Sequence, residues 1–593
     1  SHPREHQDVI DLNGHTLSNA SGHTITNSSN KLEVKDSVGT GVVDNTSNGK
    51  AALYNDVKAT ATLNGGSFTR SAEASTSDSD AGGNSYYVLK NYGTMIINKG
   101  VVVKFSDTNP GFYSSLVANG WQDAIKAEAG TNGEPKPTDG AKKATLTIND
   151  GSFTGGQITV KNDDYGTLTI KGGAIAQPSE GRFAVYNNHI AKISGGNISS
   201  RSSAVASRMI KDTGANEGSL TVESAAVIVS EAGNPVFLRD GAKATITGGS
   251  FEAKGGAVAI GINDDASNAV VSGGTYKGTT KVSNRGDVLV DRYGVVEKDG
   301  SLVVEMTRPA ATVIMEDGTA TPYETFTKAC SNAPAYSTVK LNENAVLGKF
   351  AAKVQAFGVT VDLNGFNIDG SAYMGPDATL AMKPSYGAKP VEGKDSTLRI
   401  INSVPQSGGT IKGKLPVEGA SGNSMFAAPL YIGDEVTLEV LEGGSTAVKL
   451  GSSSYLAYSE KAASYVANGG FRMQAAGGSD RIYGSPSSAA ADLPEGSAIT
   501  MLHPYVGNEA ICSGSKGYIL DLGGNAYSYT GTQQIVDINY DGASITIRNG
   551  MLKAQNPLDT AGGSLVYTNT PRSQGGGTTP AEGCPLGRGT DGR

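Results

Sequence analysis

Hydrophobic and polar positions alternate along this chain in short runs, and run after run ends at a glycine-centred turn. Leu63-Asn64-Gly65-Gly66-Ser67-Phe68, Ile148-Asn149-Asp150-Gly151-Ser152-Phe153 and Ile170-Lys171-Gly172-Gly173-Ala174-Ile175 are copies of one unit. Ile193-Ser194-Gly195-Gly196-Asn197-Ile198, Ile246-Thr247-Gly248-Gly249-Ser250-Phe251 and Val271-Ser272-Gly273-Gly274-Thr275-Tyr276 continue it. The steps from 148 to 170, 170 to 193 and 246 to 271 are 22, 23 and 25 residues. Degenerate copies, Ile96-Ile97-Asn98-Lys99-Gly100 and Leu220-Thr221-Val222-Glu223-Ser224, fill wider gaps. A second short strand ending in a turn residue precedes each copy, as at Asn55, Asn91, Asn162 and Asn187. A period of that length with three short strands predicts an all-β chain, one coil of a right-handed parallel β-helix per repeat. A meander would need hairpin turns between its strands and would not hold so steady a register.

One coil cannot bury its own inward face, but stacked coils share a continuous apolar column. Period-two alternation sends Ile246 inward and its neighbours Thr245 and Thr247 outward. The Gly-Gly pairs allow a corner that needs positive φ. Asparagines at a fixed corner predict a side-chain amide ladder, a structural role preferred here to glycan binding.

A longer repeat overlies the short one. Tyr323, Ala329, Pro334, Ser337 and Val339 are matched 160 residues later by Tyr483, Ala489, Pro494, Ser497 and Ile499. Val361-Asp362-Leu363-Asn364-Gly365 is matched by Leu520-Asp521-Leu522-Gly523-Gly524, and Ile10-Asp11-Leu12-Asn13-Gly14 is a third copy. Phe326, Ala329, Cys330 and Ala333 form one helical stripe, predicting a short helix that caps the open end of a solenoid. The expected organisation is a foreign or disordered leader (1–7), a first module without its leading helix (8–307), a second with a cap helix (308–480), a partial third with its own cap helix (481–570), and a disordered tail (571–593). Abrupt ends on both sides read as a fragment of a larger protein.

Composition fits this picture. Among 593 residues there are 80 glycines, 38% hydrophobic residues and one tryptophan, which suits many short strands with small side chains stacked inside. A formal charge of −8 without a Lys/Arg cluster argues against a nucleic-acid partner. No apolar run approaches the roughly 20 residues of a membrane-spanning helix. Cys330, Cys512 and Cys584 show no metal or redox spacing, and Cys330 reads as a small buried hydrophobe.

The cap helix, the Val-Asp-Leu-Asn-Gly start and the Gly-Gly-x-Phe turns together resemble the pectate-lyase-like β-helix repeats of large surface proteins from gut Gram-positive bacteria. The resemblance covers about residues 8–570. It implies an extracellular, cell-surface location, and says little of function, because this architecture serves adhesins, tailspikes, lyases and glycosidases alike.

Catalytic patterns are weak. Asp163-Asp164 and Asp264-Asp265 superficially resemble the paired aspartates of polygalacturonases, but both read as solvated turns. The Gly-His-Gly partner is missing, since His15 and His23 sit in other contexts, and Arg208-Met209-Ile210-Lys211 carries an inserted residue. A calcium-dependent lyase grouping of Asp163, Asp164 and Asp212 with Lys211 is not demanded by spacing. His189 and His503 read as structural or exposed. No catalytic residue, metal ligand or cofactor is assigned.

Aromatic side chains carry the binding expectation, because sugars and protein hot spots both use exposed rings. Tyr86, Tyr87, Tyr92, Phe112, Tyr113 and Trp121 gather around the stretch where the repeat is most disturbed, next to a long loop near 130–140. The expected function is a non-catalytic surface stalk or adhesin binding a host or microbial glycan or surface protein. The rivals are a polysaccharide lyase or glycosidase acting on acidic polysaccharide, and a plain structural spacer.

Overall fold

The computed structural model describes residues 7–47, 49–71, 86–106, 114–122, 144–209, 218–420, 426, 428–444, 446–451, 454–474, 478–493, 497–512, 517–532, 535–537 and 544–554. The described residues are all-β, 45% strand and 4% helix. It divides into two compact units, Ser1–Thr307 and Arg308–Arg593.

In the first unit the strands enter three long sheets in rotation. One sheet takes Gln7–Asp11, Lys31–Lys35, Thr60–Leu63 and so on to Asn268–Val271. The second runs from Thr16–Asn19 and Val42–Asn45 to Thr275–Lys277, and the third from Ile25–Asn27 and Leu53–Asn55 to Ile260–Ile262. Each strand pairs in parallel with its equivalent one coil away. Val34, Leu63, Ile97, Ile148, Ile170, Ile193, Val222, Ile246 and Val271 are consecutive register partners in the first sheet. All nine are fully buried. In the second sheet Phe68, Val103, Phe153, Ile175, Ile198, Ile228, Phe251 and Tyr276 form a matching column. Burying each large side chain contributes about 1.5–3 kcal/mol, so these columns are the main source of stability. The antiparallel pair Tyr293–Lys298 and Ser301–Met306 closes the second sheet against Thr275–Lys277.

The glycine pairs do two different jobs at their corner. A Cβ on Gly195 would lie 2.2 Å from the Lys171 carbonyl oxygen, so the first glycine is required by close approach of the neighbouring coil. Gly196 sits at φ +89°, where an L side chain is strained.

The corner asparagines of the third sheet form the expected ladder, and it is longer than the sequence indicated. Asn27 Nδ2 donates to Asn55 Oδ1 at 2.9 Å, Asn55 to Asn91 at 2.8 Å, and Asn91 to Asn119 at 2.7 Å. Asn119 donates to Asn162 and Asn162 to Asn187, both at 2.8 Å, and Asn187 ends the series on the Ser207 hydroxyl at 2.9 Å.

The second unit begins with a hairpin, Ala311–Ile314 and Ala320–Tyr323, followed by the helix Phe326–Asn332. Thr325 caps the helix by accepting from the Lys328 amide at 3.1 Å, and Phe326, Ala329 and Cys330 are its buried face. Burial pushes the Cys330 thiol up, as for an inert core cysteine. The arrangement recurs with Phe471–Met473, Arg481–Tyr483 and the helix Pro486–Ala491, capped by Ser485. The structural repeat thus starts at Phe471, ahead of the 481 boundary read from the sequence match. Among the described residues the first unit has no helix.

The Asp-Leu-Asn-Gly signal is one recurring turn. Asp11 Oδ1 accepts from the Asn13 and Ser37 amides, both at 3.0 Å. Asp362 Oδ1 accepts from Asn364 at 2.9 Å and Ser403 at 3.0 Å, and Asp521 Oδ1 from Gly523 at 3.0 Å. The residue two places on has φ of 47°, 48° and 58° in the three copies, which explains Asn or Gly there. Gln7, assigned to the leader from the sequence, begins the first strand and pairs with Lys31. Residues 1–6 and 571–593 lie outside the described residues.

Candidate functional site

The three sheets of the first unit present different outward faces. Outward Val9 and Val270 of the first sheet are 53% and 47% exposed. On the third sheet, outward Lys90, Ala118 and Ala206 are fully buried and Tyr186 is 6% exposed. The four longer stretches of this unit outside the described residues, 72–85, 107–113, 123–143 and 210–217, each connect to an end of a third-sheet strand.

Beside the asparagine ladder runs a row of rings, contributed coil by coil. Tyr86 lies 5.8 Å from His23, His23 stacks on Tyr54 at 4.6 Å, and Tyr54 meets Tyr92 edge-on at 5.6 Å. Tyr92 lies 5.1 Å from Trp121, Trp121 6.4 Å from Tyr165, and Tyr165 6.2 Å from His189. Coils repeat every ~4.8 Å, so one ring per corner falls within contact distance of the next. Tyr165 holds φ +60°, a left-handed conformation uncommon for an aromatic residue.

Two buried cations are built into this row. Lys90 Nζ sits 4.7 Å from the Tyr87 ring centre and 4.5 Å from that of Tyr92, and donates to the Gly120 carbonyl at 3.1 Å. Arg70, also fully buried, donates to the carbonyls of Tyr86 at 2.8 Å and Ser47 at 3.3 Å. Burial draws its guanidinium down to about 10. Burial, followed by the nearby Lys50 and Arg70 charges, lowers the His23 imidazole to about 4. Its Nδ1 accepts the Ala51 amide at 2.8 Å, a bond that only the deprotonated nitrogen can make.

Farther along the same sheet, Phe183 lies 5.4 Å from Tyr186, and Arg208 and Arg239 lie over the Tyr186 ring at 5.4 and 5.6 Å. Asp163 and Asp164 directly precede Tyr165 of the ring row, and the Asp164 carbonyl accepts from the Trp121 amide at 3.1 Å. The solvated-turn reading of that pair is corrected: both are fully buried. Lys161 Nζ is 3.0 Å from Asp163 Oδ1, and Asn188 Nδ2 donates to the same oxygen at 3.3 Å. Arg208 Nε in turn donates to Asn188 Oδ1 at 2.8 Å. The other pair conforms to expectation. Asp264 accepts from the Asp240, Gly241 and Ser267 amides as a turn cap, and the Asp265 side chain is fully exposed.

Of the residues singled out from the sequence, Tyr86, Tyr87, Tyr92 and Trp121 come together in this row, Trp121 at 6% and Tyr87 at 9% exposure. Phe112, Tyr113, Lys211, Asp212 and the 130–140 loop lie outside the described residues. His23, Tyr54, Tyr165 and His189 were missed. Tyr165 and His189 follow the corner asparagines Asn162 and Asn187 by three and two residues, whereas Tyr54 precedes Asn55 by one, so no single spacing marks the row in the sequence. Among the described residues no three His, Cys, Asp or Glu side chains gather as a metal site requires, and no helix is long and apolar enough to cross a membrane. Compared with known family models, curated proteins and solved structures, the chain matches none of them.

Proposed function

We propose that the protein is a right-handed parallel β-helix of a bacterial surface protein, a non-catalytic stalk or adhesin that engages a glycan or a surface protein through the third-sheet face of its first unit. Strands entering three parallel sheets in rotation support the solenoid, and the near-universal right hand of parallel crossovers supports its handedness. The observation that carries the binding reading is the row of rings from Tyr86 to His189 with Lys90 held between Tyr87 and Tyr92. Rings fixed by their neighbours lose little freedom when a ligand packs on them, and Tyr54 and Tyr92 are only half-buried.

A degradative enzyme is the second reading, and one observation favours it: Asp163 Oδ2 is buried without a hydrogen-bond partner among the described residues. Against it, a carboxylate with no exposure cannot reach a polymer, and its other oxygen is engaged by Lys161 and Asn188. The deciding experiment runs the full chain on a glycan and surface-protein array beside a polysaccharide-degradation assay. Saturable binding without product is the expected result; turnover of a uronic-acid polymer would replace the adhesin by the enzyme.

A further inference from the structure

In the second unit a cavity of about 420 Å³ opens along one corner of successive coils. Its wall is the same turn repeated: Pro376 and Asp377 before the strand Leu380–Met382, Lys414 and Leu415 before Val417–Glu418, and Gly443 and Thr446 before Val448–Lys449. Val466, Asn468 and Tyr505 close the far side. That side is rigid. The Tyr505 ring stacks on Tyr527 at 4.4 Å, and Asn468 is locked by bonds to the Val506 backbone at 2.8 and 3.0 Å.

The charges in the cavity are unequal. Asp377 is paired with Lys383 at 2.6 Å and Lys353 at 3.1 Å. The Lys383 hydrogen bond is the main cause that holds its carboxyl below the usual range. Lys414 and Lys449 are exposed on the lining and make no ion pair or side-chain hydrogen bond among the described residues. Glu418, the register partner of Lys449, and Glu442, beside Gly443, pair with neither lysine. Two lysines without an ion pair among the described residues therefore share the lining with the apolar Leu415, Val448, Leu450 and Val466.

We propose that this cavity binds a small organic carboxylate of the size of an acidic monosaccharide, with Lys414 and Lys449 on the carboxylate and the apolar lining against the ring's C–H face. The volume falls within the range of small-ligand sites, and a charged donor pair beside apolar surface fixes orientation as such sites do. The proposal stands apart from the first-unit face, since it uses none of its residues.

The test is calorimetric titration of the full chain with sodium glucuronate, with glucose, and with a glucuronate-terminated oligosaccharide. Lys414→Gln/Lys449→Gln is run beside the parent, its fold checked by an unchanged thermal melt, which exposed lysines permit. Expected are saturable glucuronate binding weakened by salt, none with glucose, and at least a tenfold loss in the double variant. Binding of the oligosaccharide as well would identify a chain end as the source, and binding of the monosaccharide alone a free sugar acid. Equal binding of glucose, a double variant that binds like the parent, or no glucuronate binding at all would each overturn the proposal. A normal array result for the first-unit face would then leave the adhesin reading untouched.

Discussion

Asn91 donates its side-chain amide to Asn119 across 2.7 Å and accepts from Asn55 at 2.8 Å, so one residue ties three coils together. The same Nδ2 reaches the carbonyls of Gly93 and Thr145 at 3.2 and 3.0 Å. Asn91→Ala would leave buried donors and acceptors unmade on both sides, at about 1–3 kcal/mol for each group that finds no substitute. A loss of roughly 2–4 kcal/mol is expected in urea melts. Asn98, which forms an exposed ladder with Asn64 and Asn149, is the control. Asn98→Ala should cost less than about 1 kcal/mol, since water replaces its partners. Similar losses at both sites would mean that burial is not what makes the inner ladder matter.

Inward and outward assignments can be checked at adjacent residues. Ile170 is fully buried in the first-sheet column, whereas Lys171 is exposed at the turn. Ile170→Asp places an unpaired charge in an apolar column and should unfold the coils around it, lowering the melting temperature by many degrees or abolishing expression. Lys171→Asp should remain within about 0.5 kcal/mol of the parent. Thermal melts of the two variants, read by circular dichroism, provide the comparison.

How much of this was legible follows from which forces are periodic. The columns through Ile148, Ile170 and Ile193 repeat every coil, so burial wrote them into the sequence as a period near 23 residues. The 160-residue match between Tyr323 and Tyr483 is likewise a repeated hairpin and helix. Asp163 was misread because a carboxylate in an Asn-Asp-Asp turn ordinarily faces water. Its burial depends on Lys161, two residues back, and Asn188, a coil away. The ring row was half seen. Tyr92 and Trp121 stood out by density, but Tyr54 and Tyr165 join them only through the stacking of coils, a contact between residues far apart in the chain.

Protonation of His23 gives the first unit an acid sensitivity above the carboxylate range. In the folded chain the imidazole is drawn down to about 4, against 6.5 for an ordinary histidine. Between those values the unfolded chain binds a proton that the folded chain refuses, so stability falls as the pH drops from 6.5 towards 4. Above 6.5 both states are neutral at this site and the contribution is fully present. Asp11, Asp36 and Asp264 are lowered from 3.8 and act only below that value, so the window belongs to the histidine. Melting temperatures from pH 7 to 4.5 should decline for the parent and decline less for His23→Gln. Parallel curves for the two proteins would show that His23 takes up its proton without cost.

The ring row leads to the functional prediction, and its burial decides which variants are informative. Trp121 is 6% exposed, so Trp121→Ala would cost about 3–5 kcal/mol and confuse unfolding with lost binding. Tyr54 and Tyr92 are half-buried and meet edge-on at 5.6 Å. Replacing both by Leu keeps much of the packing volume and removes the aromatic faces. Replacing both by Phe keeps the faces and removes only the hydroxyls. Binding to the array ligand should fall at least tenfold in the Leu pair and remain within about threefold in the Phe pair, because stacking on a ring face is worth ~1–3 kcal/mol. The acidic pairs supply the opposite arm. Asp163→Asn breaks a buried ion pair with Lys161 and should lower the melting temperature without creating or removing any degradative activity. Asp265→Asn, fully exposed and, among the described residues, paired with Arg285 alone, should change neither stability nor binding. If the Leu pair bound as tightly as the parent while Asp163→Asn abolished turnover of a uronic-acid polymer, the third-sheet face would be a catalytic groove, and the rings merely its wall.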